Sequence, residues 1–510
     1  MQTRIQLEPS EAVSTSPYGD WAIQPHPLPA QEIATMLITR YTQHTQILHP
    51  LLPQFAAFDL LQRVYRPDGA IVSSEDSYRI FMLLAISSVT TYRRGDTDEH
   101  PYGYFRSAQR YIKQVDFVGS VNAVQNLLLV ARFATYQHCD ISIWDIARTC
   151  IRQCVALGLH QPPTAPLTPL QEQMNRNLFW DCYVHDRFAS GVLGRPYAIA
   201  EDDITVALPV EISEAELISS KAQTLDEVAS QNIVRPNEAS VVRFVVSLRR
   251  AITRISNRFY SSHTPQDQLN SRSAVADAGQ VRLDLHRFLA ELKALRDSAP
   301  IFSDPQSLYQ RPEWYDYLVE KDRLTLLRGA LARMPVDGLP TPRSLVEMTL
   351  QCATRVIELY SALFSRGQIT WTRSYFQILF TSGLSIMFTL SILRHEQKDH
   401  ERQSNEVAIF AQASAALDSA SSLMKMFVSE MPDAGRFARV FEVLVRQYTT
   451  GTGTGTRARP SRAPSRAATP VPQQHTDGYA QQQQAPNLRH EICLRRSTVA
   501  PSQHQHTQAR

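Results

Sequence analysis

The sequence predicts an all-α protein, with a large multi-helix regulatory body between a disordered N-terminal segment and a low-complexity C-terminal tail. Apolar residues recur at spacings of three and four in segment after segment, which is the period of an amphipathic helix. No comparable alternation of apolar and polar residues bounded by turns indicates a sheet. With 510 residues and 43% hydrophobic content, the chain is long enough to bury a large core.

Composition divides the chain into residues 1–29, 30–448 and 449–510. The first region is rich in Ser, Pro and Gln, and the last begins with a Gly-Thr repeat and continues with Arg, Pro and Gln. Such segments bury too little apolar surface to offset the entropy of ordering, so we expect both to be disordered.

Charge is unevenly distributed along the chain. Residues 451–510 contain eight arginines and two acidic residues, which leaves residues 1–450 with a net charge of −3. The body is therefore not an evident nucleic-acid surface. The tail is either a basic localisation or interaction segment or a solvated extension.

Helices of the first half follow from apolar periodicity and from their termini. We predict them at 31–48, 75–91, 103–115, 121–136 and 143–157. Pro50 and Pro53 end the first helix. The second has Ser73 and Ser74 available for an N-terminal cap, and Ser120 can cap the fourth. Gly158 is suited to a left-handed C-cap of the fifth.

A polar segment from Pro209 to about Pro236 is predicted to be a mobile connection or a loosely packed loop. Helical patterning then returns at 241–260, 281–295, 314–332, 344–364, 375–393, 407–427 and 435–448. The uncharged run between Arg373 and Arg394 approaches the roughly 20 residues that span a bilayer. Polar residues such as Gln377 interrupt it, which favours a buried core helix over a membrane span.

The most informative segment runs from Asn177 to Pro209. Apolar side chains recur at helical spacing in its first part, at Leu178, Phe179, Tyr183 and Val184, so one face should be buried. The charged residues among them are Asp181, Asp186 and Arg187. Because charges in such positions are usually paired, we expect Asp186 and Arg187 to pin the helix to the turn that follows.

This turn has the sequence Gly191-Val-Leu-Gly194-Arg195-Pro196. Gly191 and Gly194 permit backbone angles that other residues resist. Pro196 is expected to stop the helix and to hold Arg195 in an extended conformation. The segment therefore predicts a rigid corner.

The segment resembles the middle homology region of fungal-specific transcription factors, a regulatory domain usually found downstream of a zinc binuclear-cluster DNA-binding domain. The shared motif residues are Phe179, Trp180, Asp186, Arg187, Gly194, Arg195, Pro196, Asp203, Ile204, Leu208 and Pro209. Upstream features in the same order are His49-Pro50, the leucine helix at 125–129, Trp144 and the Leu-Gly-Leu-His sequence at 157–160. The resemblance is strongest over 30–215, and the ordered combination is more specific than any single motif.

The resemblance implies an all-helical domain at 30–448 that regulates transcription in the nucleus. It also implies transcription machinery or regulatory proteins as partners and a small-molecule effector as one input. We predict that most motif residues maintain the fold, and Arg195 is the candidate effector contact because its planar guanidinium could recognise a carboxylate. Monomer and dimer both remain open, since no adequate heptad run precedes Pro50.

The zinc cluster itself is not recognisable in this sequence. Six closely spaced thiolates are needed to hold two zinc ions, whereas the six cysteines here are scattered and the first is Cys139. Cys150 and Cys154 share one apolar helix face, which favours buried small residues over metal ligands. We therefore expect no cofactor in this chain. DNA would be reached indirectly or through a missing N-terminal zinc cluster, and an unrecognised DNA-contacting element is the least favoured explanation.

Enzymatic interpretations find little support. Glu201, Asp202 and Asp203 resemble a magnesium-binding cluster, but such sites need carboxylates that recur across helical turns. His185 next to Asp186 does not form a working pair, because adjacent side chains on a helix point about 100° apart. No nucleophile elbow or phosphate-binding glycine loop is present in the sequence. We predict no catalytic and no metal-binding residues. The alternative is an all-α ligand-binding or metabolic protein that shares only the scaffold.

Overall fold

The computed structural model describes residues 23–450 apart from 67–71, 138, 140, 232–234, 261–270, 335–341, 368, 370, 371, 397–403 and 432–433, and apart from the side chains of 231, 271–277, 394–396, 404–407, 430, 449 and 450. Disorder is predicted for 1–29 and 449–510, of which residues 1–22 and 451–510 lie outside the described residues. For the rest the prediction is wrong: the N–H of His26 donates to the carbonyl of Gly103 at 3.1 Å, and the last helix extends to Thr450. Every regular element within these ranges is helical, and they contain no strand. The all-α prediction is confirmed.

The first group of helices surrounds one hydrophobic core. It comprises α1 (Gln31–Arg40, continued to Leu48 by a π-helical turn at Tyr41–Thr45), α2 (Gln54–Val64), α3 (Ser74–Arg93), α4 (Pro101–Gln109), α5 (Val121–Tyr136), α6 (Ile143–Ala156) and α7 (Pro169–Leu193). Phe133, Phe179 and Trp180 are among its fully buried side chains.

The caps predicted for this group are confirmed, whereas the helix predicted at 103–115 ends at Gln109 and is followed by a separate 3-10 turn at Ile112–Gln114. The side-chain oxygens of Ser73 and Ser120 each accept a hydrogen bond of 3.0 Å from a backbone N–H in the first turn of their helices. Gly158 follows α6 with a φ of 73°, and the N–H of Leu159 donates to the carbonyl of Cys154. Left-handed C-caps of this kind satisfy carbonyls at a helix end.

The second group surrounds a separate core. Two short helices, α8 (Glu214–Ser219) and α9 (Leu225–Gln231), lead to α10 (Glu238–Phe259), α11 (Ser271–Asp297), α12 (Pro312–Arg333), α13 (Arg343–Ser365), α14 (Arg373–Glu396), α15 (Ser404–Glu430) and α16 (Gly435–Thr450). The helices predicted here from periodicity are all present, with ends that differ by a few residues except for α11, which begins at Ser271, ten residues before the predicted start.

Helix α14 is long and apolar enough to cross a membrane by length and composition, with a mean hydropathy of 1.7 over Arg373–Leu393. In the structure it packs against α13 and α15, and Leu379 and Ile386 are fully buried in the second core. The hydroxyl of Thr389 is satisfied by backbone carbonyls of its own helix. Burial in this core accounts for its apolar character, as the sequence predicted.

Three predictions are corrected. Helix α2 was not predicted, because the two prolines before it suggested a longer break, although Pro53 takes its N-cap position. Helix α7 begins at Pro169, where Thr168 and Gln171 form a capping box, well before the predicted motif helix. The segment after Pro209 is not simply a loop. It contains α8 and α9, whose Leu217 and Leu225 pack in a small third cluster.

Helix α10 lies between the two large cores and contributes to both. Val242 and Val246 pack in the first core, whereas Val241, Val245 and Leu248 pack in the second. Apolar residues on two faces of one helix are typical of a buried helix. This arrangement places the body of the motif helix α7 beside α10 and next to the junction of the two cores.

Candidate functional site

The Phe-Trp pair anchors α7 in the first core. Phe179 and Trp180 are both 0% exposed, and their rings meet edge to face at 5.1 Å. The indole N–H of Trp180 donates to the carbonyl of Ala207 at 2.9 Å. This bond satisfies the one polar group of the buried indole and ties the returning segment before Pro209 to the helix.

Asp186 and Arg187 clamp the turn onto α7. Both oxygens of Asp186 accept from the backbone N–H of Ala198, at 3.1 and 3.0 Å. Arg187 donates to Asp186 at 2.7 Å, to the carbonyl of Ile199 at 2.8 Å and to Glu201 at 2.9 Å. Such charge-assisted bonds are stronger than neutral ones, so the helix and the turn are held as one unit.

Only one of the two motif glycines has an unusual backbone. Gly194 is the C-cap of α7 with φ 61° and ψ 33°, and the N–H of Arg195 donates to the carbonyl of Ser190 at 2.9 Å. Gly191 is an ordinary residue of the last helical turn, so the backbone freedom predicted to matter at both glycines is used only at Gly194. Gly194 alone ends the helix before Pro196 is reached.

Arg195, the predicted effector contact, is exposed. Its guanidinium lies over the ring of Trp144 at 4.5 Å, and that of Arg148 lies over the same ring at 4.8 Å. Arg148 also donates to the carbonyl of Pro196 at 3.2 Å. Cation–π stacking at such distances stabilises the outer face of the corner. Arg195 does not line the cavity described below.

The three acidic residues near the end of the motif, Glu201, Asp202 and Asp203, lie in different surroundings. Glu201 binds Arg187 and accepts a hydrogen bond of 2.6 Å from Tyr183. Asp202 and Asp203 are exposed, while Ile204 is 8% exposed. The carbonyl of Pro209 accepts from Arg243 at 2.9 Å. Because Glu201 is paired with arginine, the three acids do not converge on one point as magnesium ligands do.

A second charged centre lies inside the first core and was not predicted. Asp181 is 3% exposed, and its two oxygens accept from Arg132 of α5 at 3.1 and 3.2 Å. The Nδ1 of His49 lies 2.7 Å from Asp181 Oδ1. The Nδ1 of His185 lies 3.0 Å from the Asp181 carbonyl. His185 therefore contacts Asp181, which lies four residues earlier on the same face of the helix, and does not pair with Asp186. This i, i+4 spacing is the signal in the sequence that could have predicted the contact.

Burial and the neighbouring Arg132 lower the pKa of His49 to about 3. Burial would raise the pKa of Asp181, but Arg132, followed by His49 and His185, holds it well below its usual value. His49 is thus neutral and donates its Nδ1–H to an ionised Asp181, since a carboxylate only accepts. His49, Asp181 and His185 each offer one atom that could coordinate a metal ion, and these atoms lie within 4.8 Å of one another. A metal ion there would face the Arg132 guanidinium on the same carboxylate, so the set fits an ion pair better than a metal site.

A cavity of about 120 Å³ opens beside this centre, at the junction of the two cores. His49, Arg132 and His185 line it from the first group of helices, and Arg249 lines it from α10. The second group contributes aromatic and polar side chains, namely Tyr309, Trp314, Tyr317, Lys321 and Tyr375. Concave, largely apolar cavities with a few convergent polar groups are the usual form of small-molecule sites.

The cations of this cavity differ in their partners. Lys321 binds Asp322 at 2.7 Å, and burial lowers its pKa, with a further lowering by Arg249. The Nε of Arg249 is buried without a hydrogen-bond partner, and among the described side chains Arg249 has no carboxylate partner. An uncompensated cation next to a lysine favours an anion at this point.

Three cysteines pack together in the first core. Cys150, Cys154 and Cys182 are 0% exposed, and the sulfurs of Cys154 and Cys182 lie 3.6 Å apart. Burial raises the pKa of the Cys182 thiol well above its usual value. Buried thiols pack as small apolar groups, as the sequence predicted for Cys150 and Cys154.

The sequence profile of the fungal specific transcription factor domain matches residues 40–297, half of the chain. The chain belongs to this family. The match extends from α1 to the end of α11 and so includes the motif corner, the Asp181 centre and Arg249. The other cavity wall, on α12 and α14, lies beyond it.

Curated relatives of the family include regulators from several fungi. An uncharacterized transcriptional regulatory protein of Schizosaccharomyces pombe is 26% identical over 289 residues, which cover 55% of this chain and 40% of that protein. Protein STB5 of Saccharomyces cerevisiae is 23% identical over 246 residues, covering 46% and 30%. The positive regulator of purine utilization of Emericella nidulans is 23% identical over 251 residues, covering 38% and 24%. The chain thus matches less than half of the length of each of these relatives.

Proposed function

We propose that this chain regulates transcription in the nucleus of a fungus, and that its helical body is the part that responds to a small-molecule effector. Membership of the fungal specific transcription factor domain family supports the regulatory role, and so do relatives named as transcriptional regulators. The observation that carries the effector role is the cavity between the two cores, where the half-buried Arg249 has a buried Nε without a hydrogen-bond partner and no carboxylate partner among the described residues.

The mechanism follows from the position of the cavity. Its lining comes from α5 and α7 on one side and from α12 and α14 on the other, with α10 contributing to both cores. A ligand bound there contacts both groups of helices at once. It therefore favours whichever packing of the two groups closes around it, and this shifts the population between two arrangements of the body.

We propose that regulatory proteins or the transcription machinery bind differently to the two arrangements and so respond to that shift. DNA contact would be made through such partners or through an N-terminal zinc cluster outside this chain.

We also propose that the protein is not an enzyme. Asp181, the buried carboxylate next to the cavity, is bound by Arg132 and His49 and has a strongly lowered pKa, which makes it a weak base.

Deleting the gene in the fungus that encodes it tests the regulatory role. RNA sequencing should show a set of transcripts whose levels change on deletion and return when the intact gene is restored. A tagged copy should be found in the nucleus. An unchanged transcriptome across several carbon and nitrogen sources, with the tagged protein expressed in the parent strain, would contradict the proposal.

A further inference from the structure

We propose that the cavity between the two cores binds a small carboxylate with one ring, whose carboxylate is held by Arg249 and Lys321 and whose ring lies among the aromatic side chains. This inference rests on the proposed function only in that the ligand would be the effector. The binding site itself is argued from the cavity.

The charge at the cavity wall selects an anion. Arg249 and Lys321 both line it, and Arg249 is close enough for its charge to lower the pKa of Lys321. Asp322 compensates Lys321 at 2.7 Å, whereas within the described ranges no side chain compensates Arg249. A carboxylate is the anion that a planar guanidinium binds through two parallel hydrogen bonds.

The balance of charge limits the anion to about one negative charge. Histidines aside, the ionised lining groups are Arg132, Arg249 and Lys321. Their direct ion-pair partners in the described part of the chain are Asp181 and Asp322. One positive charge is left in excess. A monocarboxylate neutralises it, whereas a phosphate monoester, at roughly −1.5 to −2 near neutral pH, would leave a buried negative charge.

The size of the cavity limits the rest of the ligand. A volume of about 120 Å³ is similar to that of a protein cavity of roughly 150 Å³ that accepts benzene. Phe188, Trp314 and Tyr375 line it together with apolar side chains such as Val184 and Val245. One ring therefore fits, and the surrounding aromatic groups favour a flat, unsaturated one.

The phenols of the second group give the site a further polar contact. Tyr317 lines the cavity and is 0% exposed, and its hydroxyl has no hydrogen-bond partner among the residues that the structure describes. Burial raises the pKa of Tyr317 well above its usual value, so the hydroxyl remains a donor. A buried hydroxyl without a partner is costly, which favours a ring that bears a hydroxyl or other acceptor.

Isothermal titration calorimetry on the purified full chain tests the proposal. The probes are benzoate, 3-hydroxybenzoate and 4-hydroxybenzoate, each compared with 4-hydroxybenzyl alcohol, which keeps the ring and lacks the charge. We expect at least one carboxylate to bind with a dissociation constant below about 1 mM, and the alcohol to bind at least about tenfold more weakly. A hydroxybenzoate should bind more tightly than benzoate.

Two variants of one helix locate the site. Arg249→Gln should weaken carboxylate binding by about tenfold or more, the loss of roughly one charge-assisted contact. Arg250→Gln is the matched control, because Arg250 stacks on Trp180 at 4.8 Å and lies near Glu201, outside the cavity lining. Lys321→Met is a second variant, with circular dichroism confirming that each protein is folded.

Several results would overturn the proposal. These are no binding of any of the three carboxylates up to about 10 mM, equal binding of the neutral alcohol, or equal losses in the Arg249 and Arg250 variants. Because calorimetry needs no transcription, its outcome is separate from the deletion experiment. Carboxylate binding without any transcriptional effect would contradict the regulatory role alone, and a transcriptional effect without binding would contradict this ligand alone.

Discussion

Charged side chains inside α7 decide much of the local structure. Asp186 is 0% and Arg187 is 3% exposed, and each is held by the other and by the returning backbone at Ala198 and Ile199. Removing one partner of such a buried pair leaves an uncompensated charge, which costs more than the pair itself contributes.

Changing Asp186→Asn should therefore lower the free energy of unfolding by about 3–5 kcal/mol, measured by urea denaturation. Asp203→Asn, in the same motif, is the control, because Asp203 is exposed and its change should stay within about 0.5 kcal/mol. Equal effects of the two substitutions would show that Asp186 does not hold the corner.

The buried His49 predicts a specific dependence of stability on pH. Its pKa is lowered to about 3 in the folded protein, whereas an unfolded histidine titrates near 6.5. Below about pH 6.5 the unfolded chain binds a proton that the folded chain does not, so the free energy of unfolding falls as the pH falls. Arg132, Asp181 and His185 are the charged or titratable groups that surround the ring.

Replacing His49→Gln should remove this contribution. From pH 7 to pH 5, the wild type should lose about 2 kcal/mol more than the variant, measured by urea denaturation at both values. Equal losses in the two proteins would mean that His49 binds a proton as readily when folded as when unfolded.

At the scale of the helix, two glycines at the end of α7 look alike in sequence but differ in backbone conformation. Gly194 has a left-handed backbone, a conformation that costs an ordinary L-residue roughly 1–2 kcal/mol. Gly191 is helical, and a Cβ at that position would meet no atom within 4 Å.

Opposite effects follow for the two alanine substitutions. Gly194→Ala should lower the free energy of unfolding by about 1 kcal/mol, whereas Gly191→Ala should raise it by roughly 0.5–1 kcal/mol. Thermal unfolding of both variants beside the wild type measures the difference. Destabilisation of similar size at both positions would contradict the helical assignment of Gly191.

Local sequence signals predicted the helices where periodicity and caps act within a few residues, as at Ser73, Ser120 and Gly158. They failed where a proline could either break or begin a helix, as at Pro53 and Pro169. They also failed after Pro209, where a few apolar residues of a polar segment pack together. The Asp186–Arg187 pair was predictable because its partners are close in sequence. The Arg132–Asp181 pair was not, because its residues are 49 positions apart.

At the scale of the whole body, two cores share α10, and a cavity opens at their junction. Nothing local in the sequence places Arg249 beside Lys321, since only the packing of α10 against α12 brings them together. Arg195, which the motif suggested as an effector contact, lies on the outside instead. That role for Arg195 stays a prediction, while the cavity offers a site with an uncompensated cation among the residues that the structure describes.

A ligand that contacts both groups of helices should protect both. At about 100 times its dissociation constant it should stabilise the folded protein by roughly 2.7 kcal/mol. Hydrogen exchange followed by mass spectrometry, with a hydroxybenzoate as the probe, should show slower exchange in α5 and α7 and also in α12 and α14. Slowing confined to one group would contradict a site at their junction.

The most direct test of the central claim compares two alleles in the fungus that encodes the protein. Strains carrying Arg249→Gln or Arg250→Gln, at wild-type protein abundance, are analysed by RNA sequencing beside the deletion strain. The account predicts that Arg249→Gln changes the transcripts that respond to deletion, whereas Arg250→Gln leaves them at wild-type levels. Wild-type levels of all these transcripts in the Arg249→Gln strain would contradict the claim that the cavity controls transcription.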